Sequence, residues 1–72
     1  MLIRMEKIDS SNIDSFEYDT IKKELVIQFK GGRKYKYFDV PRDIVNGFKK
    51  AKSFGGWFNF CIKDCYKYER MD

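Results

Sequence analysis

The stretch LVIQFKGGRKYKYF, residues 25–38, decides the fold. Leu25, Ile27 and Phe29 alternate with less apolar residues, which predicts a strand with one buried face. The glycine pair that follows indicates a hairpin leading into a second strand over residues 33–38. An antiparallel pair of strands is therefore the centre of the predicted structure.

The length of the hairpin loop decides which side chains share a face. A two-residue Gly-Gly turn would place Tyr35 and Tyr37 on the face opposite Leu25 and Ile27. A three-residue loop, residues 30–32 with the last glycine left-handed in a bulge, instead pairs Ile27 with Tyr35 and Leu25 with Tyr37. We prefer this second register because it yields one apolar face and one basic face, whereas the first mixes lysines with aliphatic side chains.

Outward from the hairpin, the sequence predicts one more strand and two helices. Residues 13–18 alternate loosely and end at a turn-forming Asp-Thr pair, which is typical of a strand. The VPRD sequence at residues 40–43 indicates a helix start. Ser53 is a candidate N-cap for a second helix. The apolar stripes predicted for the two helices are Ile44, Val45, Phe48 and Ala51 in the first, and Phe58, Cys61, Ile62 and Cys65 in the second.

These elements predict an α+β fold, a three-stranded antiparallel β-meander followed by two helices packed on one face, in a single domain over residues 1–72. The polar segment over residues 66–70 is expected to end the ordered structure. Charged residues at positions 4, 6 and 7 interrupt the apolar start, and no segment reaches membrane-spanning length, so we expect a soluble cytoplasmic protein without membrane association.

The composition argues against catalysis. The chain has 72 residues and no histidine, so the commonest general base and metal ligand is missing. Two cysteines cannot close a tetrahedral zinc site, and neither glycine pair has the spacing of a phosphate-binding loop. Cys61 has no imidazole to activate it, and both thiols are expected to be buried and reduced. We predict neither enzymatic activity, nor a bound metal, nor a cofactor.

The positive charge is concentrated in the middle of the chain. The net charge is +4, and residues 30–52 hold eight basic against two acidic residues. Clusters of this kind neutralise phosphates, although a plain solvated surface is the slightly better interpretation of so modest a net charge. If they bind nucleic acid, the candidate contact residues are Arg33, Lys34, Lys36, Lys49, Lys50 and Lys52.

Three aromatic residues have two interpretations each. Tyr35 and Tyr37 would stack on nucleic-acid bases if they were exposed, but the preferred register places them towards the core, which favours packing. Trp57 lies beside the apolar stripe of the second helix. It is either a packing residue at the helix junction or an exposed anchor for a protein partner.

The order and spacing of several short motifs resemble the KTSC domain, a family named for its occurrence at the C-terminus of some lysyl-tRNA synthetases and also found as stand-alone bacterial or phage proteins. The resemblance implies a strand-rich first half followed by helices, no known enzymatic activity, and RNA binding suggested by the attachment to a tRNA-handling enzyme. Trp57 departs from the pattern, where a smaller side chain is more usual. The matching motifs are Ser10-Ser11 with Ile13, Tyr18-Asp19, Leu25-x-Ile27-x-Phe29 with its glycine turn, Tyr35-x-Tyr37, Asp39-Val40-Pro41, Ala51-x-Ser53-x-Gly55, Phe58-Asn59 and Ile62-Lys63.

Two functions follow as hypotheses. The first is a small non-enzymatic module that binds RNA or another nucleic acid through the basic residues. The second is a protein-interaction module, such as a phage or bacterial regulator or inhibitor or a homodimer, that uses the surface around Trp57.

Overall fold

An antiparallel sheet of five strands in sequential order carries two helices on one of its faces. The computed structural model describes residues 1–5, 8 and 10–71; positions 6, 7, 9 and 72 of the predicted domain lie outside the described residues. The elements are β1 (Leu2–Met5), β2 (Ile13–Asp19), β3 (Glu24–Phe29), β4 (Lys34–Tyr37), α1 (Arg42–Lys50), α2 (Phe54–Cys61) and β5 (Tyr68–Arg70).

The preferred hairpin register is confirmed. In the β3–β4 pair, Leu25 lies opposite Tyr37 and Ile27 opposite Tyr35. The backbone N–H of Phe29 donates to the carbonyl of Arg33 at 2.8 Å, which closes a three-residue loop. Both loop glycines have positive φ, 102° and 95°, a conformation that side chains with a Cβ rarely adopt.

The sheet has five strands, so the prediction of a three-stranded meander is correct only for its central strands. β1 pairs with β2, and β5 pairs with β4 through the register Tyr37 to Tyr68. The expectation that order ends over residues 66–70 is therefore wrong. Both added strands lie at edges and are short, and the three residues of β5 are all exposed. β5 shows no apolar alternation from which a strand is predicted, and β1 shows it over only four residues.

The two helices cover the apolar face of the sheet. From α1, Val45 and Phe48 are buried, and the Phe48 ring lies 4.8 Å from that of Phe16 in β2. Ser53 caps α2, because its hydroxyl accepts a hydrogen bond from the N–H of Gly56 at 3.1 Å. Phe58 carries the apolar face of α2 onto the sheet.

The second helix ends four residues before the predicted stripe does. Ile62 is buried at the C-cap, with a φ of −122° that leaves the helical conformation. Cys61 is half-buried and Cys65 is exposed, so the prediction of two buried thiols is wrong; both cysteines are free. The stripe breaks at this point because the chain turns towards β5. Among the described residues, no helix is long and apolar enough to cross a membrane.

Candidate functional site

A groove of about 380 Å³ opens between the β3–β4 hairpin, α2 and β5. Its size lies within the range of roughly 300–1,000 Å³ that is usual for ligand sites. The residues that line it come from four separate parts of the sequence: the approach to β2, the hairpin, α2 with the turn after it, and β5. The tertiary fold, and not any local motif, creates the groove.

Five aromatic rings form the floor and one wall of the groove. They are linked edge to face: Phe58 of α2 lies 5.2 Å from Phe29 and 5.6 Å from Tyr37, and Tyr35 lies 5.7 Å from Tyr68. This geometry is favourable for aromatic pairs and fixes the rings relative to one another. Tyr35 is half-buried and Tyr68 is 59% exposed, so both of these lining residues keep accessible surface.

Tyr37 lines the groove, and its hydroxyl group has no protein partner among the described residues. Tyr37 is only 4% exposed, yet its hydroxyl makes no hydrogen bond with any described residue. No fully buried side-chain oxygen in the described part of the chain lacks a partner, so this hydroxyl retains some accessible surface. Burial, reinforced by Tyr68, Tyr35 and Asp64, raises the Tyr37 pKa from 10.0 to about 12. The group is therefore a protonated donor at neutral pH.

The rim of the groove is polar and mainly basic. Lys30, Arg33 and Lys63 line it together with Asp64, and all four are exposed. Asn59 lines it from α2, and Asn12 from the segment before β2. The backbone N–H of Lys30 donates to the carbonyl of Asn12 at 2.7 Å, which ties the hairpin loop to that segment.

The structure does not bring the six predicted basic residues together. Arg33 lines the groove, but Lys34 and Lys36 alternate with the two tyrosines of β4 and lie on the opposite face of the sheet. The three lysines at positions 49, 50 and 52 are exposed at the end of α1, on the helical side. The sheet therefore separates the six residues into different surfaces.

The sheet face away from the helices is charge-balanced, so the prediction of a basic face is wrong. Lys36 lies 3.6 Å from the carboxylate of Glu24 and pairs across the sheet with Glu69 of β5. Arg4 and Glu17 form a 2.8 Å ion pair on the same face. The sequence does not show this balance of charges directly, because the acidic partners of Lys36 come from the strands on either side of β4.

Trp57 is part of the packing between the helices. It is half-buried, and its indole N–H donates to the carbonyl of Ile44 at 3.2 Å. Its ring lies directly against Gly47 of α1, where a Cβ atom would overlap it. The most exposed aromatic side chain of α2 is instead Phe60, at 88%.

Sequence reasoning missed Lys30, Lys63 and Tyr68 as members of one site. The sequence motifs that resemble the KTSC domain could have indicated the groove, because several of them contribute residues to its lining. From these motifs the groove takes Tyr35, Tyr37, Phe58, Asn59 and Lys63, among others. Ser53, which also belongs to them, serves as the helix cap.

The five-stranded meander, the helix pair on one face and the groove beside it define the class of the protein, a small α+β domain with a ligand-sized groove. The model of the KTSC domain matches residues 9–68. The chain therefore belongs to the KTSC domain family. The crystal structure of a KTSC domain protein from Yersinia pestis is similar over 100% of both chains, with a TM-score of 0.89 and 32% identity.

Relatives of two kinds match the chain. A lysine–tRNA ligase from Nostoc punctiforme is 35% identical over 65 residues, which cover 90% of this chain but 12% of that protein. An uncharacterized protein from Stutzerimonas stutzeri is 35% identical over 66 residues, which cover 90% of this chain and 93% of that protein. The chain thus spans a small part of the ligases and nearly the full length of the small relative.

Proposed function

We propose that the protein is a small non-enzymatic module that binds single-stranded RNA in the groove. The observation that carries the proposal is the position of three cationic side chains, Lys30, Arg33 and Lys63, around accessible tyrosine rings. Proteins that bind single strands combine these two elements, cations for the phosphates and aromatic faces for the bases.

The geometry supports separate roles for the tyrosine rings and the cations of the groove. Tyr68 at 59% exposure and the half-buried Tyr35 offer ring faces to a base, while the rim cations lie at the surface where a phosphate backbone would pass. Of the six basic residues predicted from sequence, Arg33 takes part in this site. Lys49, Lys50 and Lys52 contribute to the long-range attraction of a polyanion.

The relatives and the composition of the groove also support RNA as the ligand. The matched relatives include proteins named as lysine–tRNA ligases, in which a domain of this kind occurs beside tRNA chemistry. The groove contains aromatic rings, amides, three cations and the Asp64 carboxylate, groups that can bind a ligand by stacking, hydrogen bonds and charge.

The test uses two neighbouring residues of equal charge that lie on opposite faces of the sheet. Binding of a labelled, tRNA-sized RNA at low salt is compared for the wild type, Arg33→Glu and Lys34→Glu. Arg33→Glu should weaken binding about 10-fold or more, the value of a charged hydrogen bond, and Lys34→Glu about 2- to 3-fold through the general field. Equal loss in both variants, or no binding by the wild type, would reject the groove as an RNA site.

A second candidate function, self-association as a homodimer, is favoured by one observation. Phe60 projects from α2 at 88% exposure, and large exposed aromatic residues are enriched at protein interfaces. Phe60→Ser tests this better than a change at Trp57, which packs inside the protein. Sedimentation equilibrium should detect a dimer that the variant loses; a wild type that is monomeric at every concentration removes this candidate.

A further inference from the structure

The Tyr37 hydroxyl belongs to a buried side chain and has no hydrogen-bond partner among the described residues. A tyrosine that is 96% shielded from solvent normally has its hydroxyl paired with the protein, as Tyr18 does by donating to the Val40 carbonyl at 2.6 Å. The Tyr37 hydroxyl has no such partner, is not fully buried, and belongs to a residue that lines the groove. It offers a fixed, protonated donor to an acceptor atom of a ligand.

Asp64 supplies the opposite chemistry in the same groove. Its carboxylate is one of the charges that act on Tyr37, and it makes no hydrogen bond or ion pair with any described residue. A carboxylate accepts hydrogen bonds through two oxygens and donates none at neutral pH. The negative charge of Asp64 opposes phosphate binding. The Asp64 carboxylate therefore favours a part of the ligand that carries N–H donors.

We infer that the groove recognises guanine, with the Asp64 carboxylate accepting from the N1–H and N2–H groups and the Tyr37 hydroxyl donating to O6. This inference rests on the proposed function and names the base that occupies the site. Among the four RNA bases, only guanine presents two adjacent N–H donors to a carboxylate beside a carbonyl acceptor on the same edge. Recognition of a splayed-out base by its Watson–Crick edge and by stacking is common in RNA binding.

The residues around Tyr37 and Asp64 are suited to a flat, polar ring. Tyr35 and Tyr68 stand edge to face with 5.7 Å between their centres, and in the inferred complex the guanine stacks on the exposed surface of Tyr68. The volume of about 380 Å³ admits one nucleoside, while Lys30 and Arg33 at the rim are available for its phosphates.

The experiment compares pentanucleotides that differ in the central base. Binding of UUGUU, UUAUU, UUCUU, UUUUU and the inosine form UUIUU is measured by fluorescence anisotropy at low salt. UUGUU should bind about 10-fold more tightly than the other three natural sequences, the usual value of a bidentate base contact. Inosine, which lacks the N2 amino group, should lose a large part of that preference.

Two variants assign the preference to its residues. Asp64→Asn should reduce the advantage of UUGUU to about 2-fold while binding UUUUU as well as or better than the wild type, because it removes a negative charge. Tyr37→Phe should weaken UUGUU without affecting UUUUU. A wild type that binds all five oligonucleotides equally, or a guanine preference unchanged in Asp64→Asn, would overturn the inference while leaving RNA binding intact.

A competition arm separates RNA from free nucleotide. GMP that displaces UUGUU with equal affinity would support guanine recognition and overturn the RNA function, whereas GMP that competes weakly supports both. Failure of every oligonucleotide and of GMP to bind would overturn both proposals.

Discussion

Two buried tyrosines differ in what their hydroxyl groups do, and this difference separates folding from binding. The Tyr18 hydroxyl donates to the Val40 carbonyl within the core, whereas the Tyr37 hydroxyl has no partner among the described residues. Tyr18→Phe leaves a buried carbonyl unpaired and should lower the free energy of unfolding by about 1–3 kcal/mol. Tyr37→Phe should change it by no more than about 0.5 kcal/mol.

Urea denaturation of the two variants measures this difference directly. Because each change removes one oxygen atom and keeps the ring, the pair forms its own control. A cost for Tyr37→Phe equal to that of Tyr18→Phe would mean that the Tyr37 hydroxyl is bound within the protein, and its assignment to the groove would be wrong.

The Tyr37 phenol also predicts a pH dependence at high pH. Its pKa is raised from 10.0 to about 12, chiefly by burial, so the folded protein holds this proton more tightly than the unfolded chain. The resulting stabilisation is fully present below pH 10 and is lost as pH rises from 10 towards 12. The difference in phenolate absorbance between wild type and Tyr37→Phe isolates this titration. A difference curve centred at pH 10 would contradict it.

At the scale of the elements, the contact between α1 and α2 depends on the absence of a side chain at Gly47. Alanine favours a helix over glycine by about 1 kcal/mol, so propensity alone predicts that Gly47→Ala stabilises α1. A methyl group there would overlap the Trp57 ring, and overpacking costs about 1–3 kcal/mol. We expect Gly47→Ala to lower the melting temperature.

The neighbouring residue of α1 provides the control for this variant. Asn46 is exposed, and alanine there gains helix propensity without any contact with Trp57, so Asn46→Ala should be neutral or slightly stabilising. A stabilised Gly47→Ala variant would mean that the helices separate easily at Trp57.

The elements that could be predicted are those with an amphipathic pattern. The β3–β4 register followed from which faces its residues would present, and the cap at Ser53 followed from its place before a helical stripe. The edge strand β5 lacks such a pattern and β1 carries it over only four residues, so pairing with β2 and β4 positions both strands. Their existence is a tertiary property that local sequence does not encode.

At the scale of the whole molecule, the distribution of charge along the sequence does not predict the charged surfaces. Neighbouring residues of a strand lie on opposite faces of the sheet. The basic middle segment places Arg33 in the groove and Lys34 on the opposite face, on a surface that it shares with Arg4 and Glu17. Lys63 and Tyr68 reach the groove from the other end of the chain through the turn into β5. Their part in the site depends on a strand that the sequence does not predict.

The groove makes a quantitative prediction about salt. Each phosphate neutralised on a single strand contributes about −0.7 to the slope of log affinity against log salt concentration. If Lys30, Arg33 and Lys63 each neutralise one phosphate, the wild-type slope for a single-stranded RNA should be about −2. Arg33→Gln should reduce its magnitude by about 0.7, while Lys34→Gln on the opposite face should leave it unchanged. Equal changes in both variants would indicate that the RNA senses the overall charge of the protein and does not occupy the groove.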